Sequence, residues 1–236
     1  MKLSVIIPAY NEEQVIIATT TEVASYSHSL FGVEAEILVV DDGSTDTTVQ
    51  KVLSLPGVRL IQHQTNQGKG AAVRTGALAA SGDYVLFMDA DNSTKINELP
   101  AFLTAAESGA DVVIASRALA SSAIIVSQNW VKQLLGKLGN TIIQVAAVPG
   151  IHDTQCGFKL FRRSSTRVLF EQQSINRWAF DIELLAMARW RGLKIVELPV
   201  RWENNFNSKV KPVDYFTTLM AVFGVQLNKL LGKYKL

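Results

Sequence analysis

The sequence of 236 residues is poor in the residue types that stabilise small folds covalently or through metals. It contains three histidines and one cysteine, Cys156. A single cysteine excludes an intrachain disulfide framework and any zinc site built on two or more cysteines. Three histidines provide few ligands for zinc sites of other kinds. This cysteine usage favours a reducing, cytoplasmic setting.

Long hydrophobic runs are absent as well. The first apolar run, Leu3 to Ile7, is broken by Pro8 and is too short for the hydrophobic part of a secretory signal. No run approaches the roughly 18 apolar residues that a membrane-spanning helix needs. We therefore expect neither a targeting peptide nor a spanning helix. With 48% hydrophobic and 19% charged residues, the composition is that of one globular domain.

The net charge of +2 conceals two halves of opposite sign. Residues 1–115 hold 6 lysines and arginines against 14 aspartates and glutamates, a net charge of −8. Residues 116–236 hold 17 against 7, a net charge of +10. Such asymmetry indicates separate tasks, with metal or polar ligands in the first half and anionic partners in the second. Taken alone, the charge distribution favours two ordinary solvated surfaces.

Five short, β-branched apolar runs alternate with segments that have room for crossover helices. Runs bounded by Gly, Pro and Asp are typical of buried parallel strands. The pattern predicts an α/β fold with a doubly wound sheet flanked by helices. The predicted strands are Leu3–Ile7, Glu36–Val40, Val58–Ile61, Tyr84–Met88 and Asp111–Ala115.

Polar segments follow all five predicted strands, and ligands of such sheets bind beyond the carboxyl ends of the strands. Asp89 and Asp91 suit a hard cation, although an acidic turn alone explains them equally well. The glycine-containing segment 66–70 permits close backbone approach, and its Lys69 would meet a diphosphate. A flexible turn before a helix is the alternative there. The absence of Walker A and G-x-G-x-x-G patterns argues against P-loop and dinucleotide enzymes.

The segment Asp41-Asp-Gly-Ser-Thr-Asp46 has two interpretations. Ser44 or Thr45 is a good helix N-cap, which would put Asp46 in the first turn. Capping does not explain two adjacent carboxylates at the end of a buried strand, because burying unpaired charge is costly. A sugar or base with hydrogen-bond donors would supply the partner.

Two later segments, 129–148 and 214–234, carry apolar stripes at helical spacing. On general grounds each stripe is expected to face the core. The C-terminal stripe consists of Phe216, Leu219, Met220, Phe223, Leu227, Leu230 and Leu231.

Nine polar motifs follow one another along the chain, namely Pro8-Ala-Tyr-Asn-Glu12, Asp41-Asp-Gly-Ser44, Asn66-Gln-Gly-Lys-Gly70, Asp89-Ala-Asp91, Ser116-Arg117, Asp153-Thr-Gln-Cys-Gly-Phe-Lys-Leu-Phe161, Trp178-Ala-Phe-Asp-Ile-Glu183, Pro199-Val-Arg-Trp202 and Ser208-Lys209. This ordered set resembles the GT-A glycosyltransferases of family 2, over about residues 3–210. Its later part resembles the dolichyl-phosphate glucosyltransferase branch, which is close to the dolichol-phosphate mannose synthases. The resemblance implies a Rossmann-like GT-A domain with a mixed sheet over residues 1–211, and a C-terminal amphipathic helix over 212–236 in the same unit.

The resemblance also implies an inverting sugar transfer from a UDP- or GDP-hexose, with glucose from UDP-glucose favoured, to a polyprenyl phosphate. Mg²⁺ or Mn²⁺ would be held by Asp89 and Asp91. The nucleotide sugar would contact Pro8, Tyr10, Glu12, Val40, Asp42, Lys69, Asp89, Ala90 and Asp91. The acceptor phosphate would contact Arg117, Arg201 and Lys209. The resemblance implies catalytic roles for Asp89, Asp91 and Arg117, and Asp181 joins the catalytic candidates as a candidate base.

The chain departs from the mannose synthases at three places. Ser93 replaces a usual metal-binding Gln, Asp181 replaces a Lys, and Glu203-Asn-Asn-Phe-Asn207 replaces an Arg-rich stretch. These differences favour glucose over mannose.

The chemistry of the acceptor decides whether a general base is needed. A phosphate acceptor is already anionic, whereas a hydroxyl acceptor needs a carboxylate base, for which Asp153, Asp181 and Glu183 are candidates. First-turn helix positions explain Asp181 and Glu183 equally well. Transfer to a soluble or polysaccharide hydroxyl, and a non-catalytic nucleotide-sugar binding protein, are the alternative functions.

A lipid acceptor predicts peripheral association with the cytoplasmic face of a membrane through the two amphipathic segments. The residues that suit this contact are Trp130, Lys132, Lys137, Phe216, Phe223, Lys229 and Lys233. No nucleic-acid partner is expected, and the sequence leaves the oligomeric state open. His152 and Cys156 are interpreted as a polar loop residue and a small packed residue.

Overall fold

A computed structural model describes residues 2–31, 35–124, 143–144, 147–203 and 212–235. Within these residues seven strands form one sheet in the order β3-β2-β1-β4-β7-β5-β8, and two short strands, β6 and β9, pair separately. The strands are β1 Leu3–Ala9, β2 Ala35–Asp41, β3 Val58–Gln62, β4 Tyr84–Met88, β5 Val112–Ser116, β6 Ala123–Ile124, β7 Phe158–Arg162, β8 Ile195–Pro199 and β9 Arg201–Trp202.

Helices connect the strands and cover both faces of the sheet. They are α1 Ile16–Phe31, α2 Thr48–Leu53, α3 Lys69–Ala79, α4 Leu99–Glu107, α5 Arg163–Phe170, α6 Phe180–Trp190 and α7 Pro212–Leu230, with one 3-10 turn, Ile96–Glu98, before α4.

Successive strand residues point to opposite faces of the sheet, and each face carries its own buried apolar cluster. On β1, Ile6 belongs to the cluster that includes residues of α3, α5, α6 and α7. Its neighbours Val5 and Ile7 belong to the cluster that includes residues of α1, α2 and α4. Burial on both faces explains the continuous apolar run of the central strand β4, whereas β3 at the sheet edge is partly exposed and contains Arg59.

All five predicted strands form, and they run parallel to one another, with bounds within two residues of the prediction. Strand β7 lies between β4 and β5 and is antiparallel to both, so the sheet is mixed. The α/β class and the helix-flanked mixed sheet are therefore confirmed.

The C-terminal helix α7 forms as predicted, but its apolar stripe faces away from the core. Val222 and Val225, which lie outside the stripe, are each 1% exposed and pack into the core. Leu219 packs partly against the same cluster, and the side chain of Phe216 lies outside the described part. The other stripe residues are between 54% and 83% exposed, namely Met220, Phe223, Leu227, Leu230 and Leu231.

The core-facing expectation is therefore wrong for most of this stripe. A stripe read from spacing does not say which helix face has neighbours, and here the smaller valine face packs. Most of the 129–148 stripe, with Trp130, Lys132 and Lys137, lies outside the described residues. Among the helices that the structure describes, none combines the length and apolar character needed to cross a membrane.

Candidate active site

The candidate site lies at the edge of the sheet where β4 and β5 end. The reversed strand β7 starts at this edge, because Phe158 pairs with Met88, the last residue of β4. Polar segments from distant parts of the chain therefore converge there, as the sequence predicted. The interacting charged side chains are Lys69, Asp89, Asp91, Arg117, Asp153, Lys159 and Asp181.

The acidic turn after β4 brings two carboxylates together. The Asp89 N–H donates to the Gly157 carbonyl (3.0 Å), and the Ser93 N–H donates to Asp91 Oδ1 (3.0 Å). A Cβ atom on Gly157 would overlap the Asp89 carboxylate, so a larger residue at this position would displace that carboxylate. Burial, together with the negative charge of Asp89, raises the pKa of Asp91. Two carboxylates that repel each other in this way favour binding of a cation.

Lys69 is the first residue of α3 and faces the acidic turn. Its Nζ lies 2.5 Å from Asp89 Oδ1 and 5.6 Å from the centre of the Trp178 ring. Burial alone would lower the pKa of Lys69, but Asp89 and Asp181 outweigh burial and raise it. Lys69, in the segment predicted to contact a diphosphate, therefore keeps its positive charge beside the acidic turn.

The glycines of this segment are explained by packing within the chain. A Cβ atom on Gly68 or Gly70 would overlap the main chain of Asn176 or Ile175. The Ala71 N–H donates to the Asn176 carbonyl at 3.0 Å. The close approach predicted for these glycines is thus made to the neighbouring segment 175–176.

Arg117, just after β5, forms a bidentate ion pair with Asp153. Its Nε lies 2.7 Å from Asp153 Oδ2, and its Nη2 lies 2.9 Å from Oδ1. Burial alone would raise the pKa of Asp153, but the charge of Arg117 outweighs burial and holds the pKa below its usual value. The Trp202 ring centre lies 5.3 Å from the guanidinium carbon. Asp153, a candidate base in the sequence, is the counter-ion of Arg117.

A second ion pair, Lys159 with Asp181, is buried beside the first. Lys159 is 0% exposed and Asp181 is 3% exposed. Lys159 Nζ lies 2.7 Å from Asp181 Oδ1 and donates to the Cys156 carbonyl at 2.6 Å. Burial raises the pKa of Asp181, and Lys159 and Lys69 oppose that rise. Asp181 belongs to the predicted set, whereas Lys159 was missed although it interrupts the apolar residues 158–161 of β7.

Glu183, the third candidate base, lies in the first turn of α6 with Asp181. It is fully buried, and its carboxylate accepts hydrogen bonds from the Ser174 N–H and hydroxyl, the Ile175 N–H and the Tyr234 hydroxyl. With four donors, Glu183 organises a loop and is not poised to take a proton from a substrate. The helix-start interpretation of both carboxylates is confirmed.

The loops after β1 and β2 are hydrogen-bonded to each other. The Asn11 N–H donates to Ser44 Oγ (2.8 Å), the Thr45 N–H donates to Asn11 Oδ1 (2.8 Å), and Asn11 has a left-handed φ of 52°. Helix α2 begins at Thr48, so the predicted N-caps, Ser44 and Thr45, lie too early. Asp46 supplies the cap-like contact, because its Oδ1 accepts from the Thr48 N–H (2.9 Å).

The adjacent carboxylates of Asp41 and Asp42 differ in their partners. Asp42 accepts from the Gln67 and Gly68 N–H groups at 2.9 and 2.7 Å, and its Oδ1 lies 2.7 Å from His63 Nδ1. The protein itself therefore supplies the partners of Asp42 that we expected from a sugar or base. Asp41 Oδ1 is buried and has no hydrogen-bond partner among the described residues.

The remaining predicted donor contacts lie on these loops or just beneath them. Tyr10 is exposed, and Pro8 and Glu12 are half-buried. The Val40 side chain is fully buried in the core, which leaves only its main chain for a ligand. The Ala90 carbonyl accepts from the Thr19 hydroxyl (2.7 Å).

The predicted acceptor contacts are only partly assembled in the described residues. Arg201 lies exposed on β9, directly before Trp202, whose ring faces Arg117. Lys209 lies outside the described residues. Arg117 is thus the predicted phosphate ligand that the structure connects to the acidic turn.

His152 and Cys156 take no part in a catalytic dyad. His152 Nδ1 lies 2.9 Å from Glu197 Oε2, whereas Asp153 pairs with Arg117. Cys156 is buried, and burial raises the pKa of its thiol to about 11. The thiol therefore stays protonated near neutral pH, as expected for a packed residue.

Comparison with known proteins gives one consistent result. The chain is 38% identical over 220 residues to a dolichyl-phosphate beta-glucosyltransferase of Trichomonas vaginalis, with 87% of this chain and 65% of that protein covered. It is 32% identical to the dolichyl-phosphate beta-glucosyltransferase of Saccharomyces cerevisiae and 33% identical to that of Homo sapiens. Those matches cover 99% and 100% of this chain, and 76% and 78% of the relatives.

Solved structures confirm the fold. Glucosyl-3-phosphoglycerate synthase of Mycobacterium tuberculosis, crystallised with Mn²⁺ and UDP-glucose, superposes with a TM-score of 0.69 at 19% identity. The superposition covers 99% of this chain and 79% of that protein. The family model for glycosyl transferase family 2 matches residues 4–170. The chain therefore belongs to glycosyl transferase family 2.

Proposed function

We propose that this chain transfers glucose from UDP-glucose to a polyprenyl phosphate of the dolichyl type, with inversion at the anomeric carbon. The names of its relatives support this proposal, and the chain spans about two thirds of the length of the Trichomonas vaginalis relative, 65%. The choice of acceptor rests on one observation, namely that the three carboxylates considered as general bases already have partners within the protein.

The three candidate bases are all engaged by the protein itself. Asp153 pairs with Arg117, Asp181 pairs with Lys159, and Glu183 accepts from loop donors. A hydroxyl acceptor would need one of them to take its proton. A phosphate acceptor is already anionic and needs no base. The arrangement therefore favours a phosphate over a hydroxyl.

The acidic turn is suited to a divalent cation. Asp89 and Asp91 offer the oxygen ligands that Mg²⁺ and Mn²⁺ prefer, and their mutual repulsion would be relieved by positive charge. Within the described ranges no group of three or more His, Cys, Asp or Glu side chains is arranged to hold a metal. The donor diphosphate and water would therefore complete the coordination. A bound cation would act as a Lewis acid that stabilises the leaving diphosphate.

The chain's own cations would then serve the two phosphate groups of the reaction. Lys69 would hold the donor diphosphate from the α3 side. Asp153 accepts hydrogen bonds from Nε and Nη2 of Arg117, and Nη1 takes no part in this ion pair. Arg117 would thus reduce the repulsion between acceptor phosphate and donor diphosphate. The acceptor oxygen bonds to the anomeric carbon as the bond to the diphosphate oxygen breaks.

The outer face of α7 gives the enzyme a route to a lipid substrate. Its exposed apolar residues include Phe223 and Leu227, and Lys229 and Lys233 are exposed at its end. Lys229 Nζ lies 4.5 Å from the centre of the Trp190 ring, on the packed side of the helix, so Lys233 is the lysine beside the exposed apolar face. An apolar face with a lysine at its end suits an anionic membrane surface. We propose peripheral membrane contact through this face. The assignment to the cytoplasmic side stays a prediction from the sequence.

A donor-by-acceptor screen tests the reaction. The purified chain is assayed with Mg²⁺ or Mn²⁺, a panel of UDP- and GDP-sugars, and polyprenyl phosphate or soluble acceptors. We expect a glucosylated lipid from UDP-glucose that is lost in Asp91→Asn. The matched control is Asp83→Asn, an exposed acidic residue at the opposite end of β4, which is expected to keep activity. Transfer only to a hydroxyl acceptor, or binding without turnover, would contradict the proposal.

Vesicle flotation tests the membrane contact separately. The double variant Phe223→Ser/Leu227→Ser is expected to lose most flotation with anionic vesicles. Leu53→Ser is the matched control, because Leu53 is 69% exposed on α2. Equal flotation of the two variants would overturn the assignment to α7.

A further inference from the structure

The first turn of α3, which carries Lys69, is held in place by the loop of residues 173–178. This loop is in turn held in place by Glu183. Gln173 Nε2 donates to the Gly70 carbonyl at 2.9 Å, and the Asn176 carbonyl accepts from Ala71, one residue further into α3. Trp178, at the end of this loop, faces Lys69. A shift of residues 173–178 would therefore move the surroundings of Lys69.

Glu183 is the anchor of this loop. Its carboxylate accepts from the N–H groups of Ser174 (3.0 Å) and Ile175 (2.9 Å), and from Ser174 Oγ (2.5 Å). Because Glu183 is fully buried, each missing donor would leave a charged group less well solvated.

The last donor to Glu183 comes from the C-terminal segment. The Tyr234 hydroxyl donates to Glu183 Oε1 at 2.8 Å, and Tyr234 is buried. Its ring packs against Trp190, with centroids 5.8 Å apart. Burial and the nearby Glu183 raise the pKa of Tyr234 to about 12, so it remains a donor at neutral pH.

We propose that Tyr234 and Glu183 form a latch that makes the C-terminal segment part of the donor site. The latch holds residues 173–178 against the first turn of α3 and so positions Lys69 for the donor diphosphate. The proposal rests on the proposed function, which assigns Lys69 to that diphosphate. Tyr234 and Glu183 are positioning residues, since their described contacts are with the protein.

The test compares Tyr234→Phe with the wild-type chain. The variant removes one of the hydrogen bonds to Glu183 Oε1, and we expect UDP affinity by calorimetry to fall about tenfold. With UDP-glucose, KM should rise by a similar factor while kcat changes less than twofold. Amide hydrogen exchange at Ser174 and Ile175 should speed up. Tyr26→Phe, whose hydroxyl donates to the distant Asn97 carbonyl, is the matched control.

The outcomes separate the latch from the proposed function. No UDP binding by the wild-type chain would overturn the proposed function. Normal UDP binding by the wild type and an unchanged affinity in Tyr234→Phe would overturn the latch alone. If Tyr234→Phe folds poorly, Glu183→Gln is tested as the second variant. The expected result is the same, a rise in KM with little change in kcat. A fall in kcat at constant KM in the folded variant would also refute the latch.

Discussion

Removal of Lys159 is expected to destabilise the protein strongly, because it would leave the buried Asp181 carboxyl without its counter-ion. At the observed 2.7 Å, two unit charges attract by about 6 kcal/mol at an effective dielectric constant of 20. Desolvation of the two ions offsets most of this gain, so the intact pair contributes little net stability. The loss of one partner removes the attraction and keeps a desolvation cost. Lys159→Met should therefore lower the free energy of unfolding by about 3–5 kcal/mol.

The measurement is urea denaturation of a double-mutant cycle. Asp181→Asn should also be destabilising, because it leaves the Lys159 ammonium without its counter-ion. The double variant Lys159→Met/Asp181→Asn should lose less than the two single losses added together, with a coupling of about 2 kcal/mol or more. Additive losses, or a loss below about 1 kcal/mol in Lys159→Met, would refute the buried-pair argument.

Three further predictions concern the acidic turn and the Arg117 pair. Because the pKa of Asp153 lies below its ordinary value of 3.8, its ion pair stabilises the fold above about pH 4, and this contribution is lost as the pH falls through the folded pKa. Urea titrations should therefore show Asp153→Asn to be destabilised by about 1.5–3 kcal/mol at pH 6, with a gap from wild type that narrows below pH 4; a constant gap would contradict this. Lys69→Met should bind Mn²⁺ more tightly in the absence of nucleotide, since a competing cation is removed from Asp89. The same variant should bind UDP about tenfold more weakly. Electron paramagnetic resonance measures the Mn²⁺ affinity, and unchanged affinities for Mn²⁺ and UDP would contradict the role given to Lys69. Gly157→Ala should weaken Mn²⁺ binding in a folded protein, because its Cβ overlaps the Asp89 carboxylate; an affinity equal to that of the wild type would show that this contact is unimportant.

Local patterns predicted the strands and the acidic turn well. The strand β4 is buried along its whole length, so its residues are apolar without interruption and it can be recognised without knowledge of its neighbours. Strand β7 was harder to recognise because Lys159 interrupts its apolar run. Its reversed direction depends on where the chain returns to the sheet, which no local pattern records.

The partners of the carboxylates were not predictable from local patterns. Asp153 stands 36 residues from Arg117, and Glu183 stands 51 residues from Tyr234. A carboxylate that ends as the counter-ion of an arginine has the same local sequence as one that acts as a base. Only its surroundings in the fold distinguish the two.

By itself, the sequence determined the α/β class, the order of the strands along the chain and the gathering of polar segments at one sheet edge. These follow from the period of apolar residues and from the rule that parallel strands end on the same side. The tertiary structure alone decided which carboxylates are neutralised, how closely Gly157 approaches the Asp89 carboxylate, and which face of α7 is exposed. Each of these depends on contacts between residues far apart in the chain, and such contacts form only when the sheet and its helices are packed.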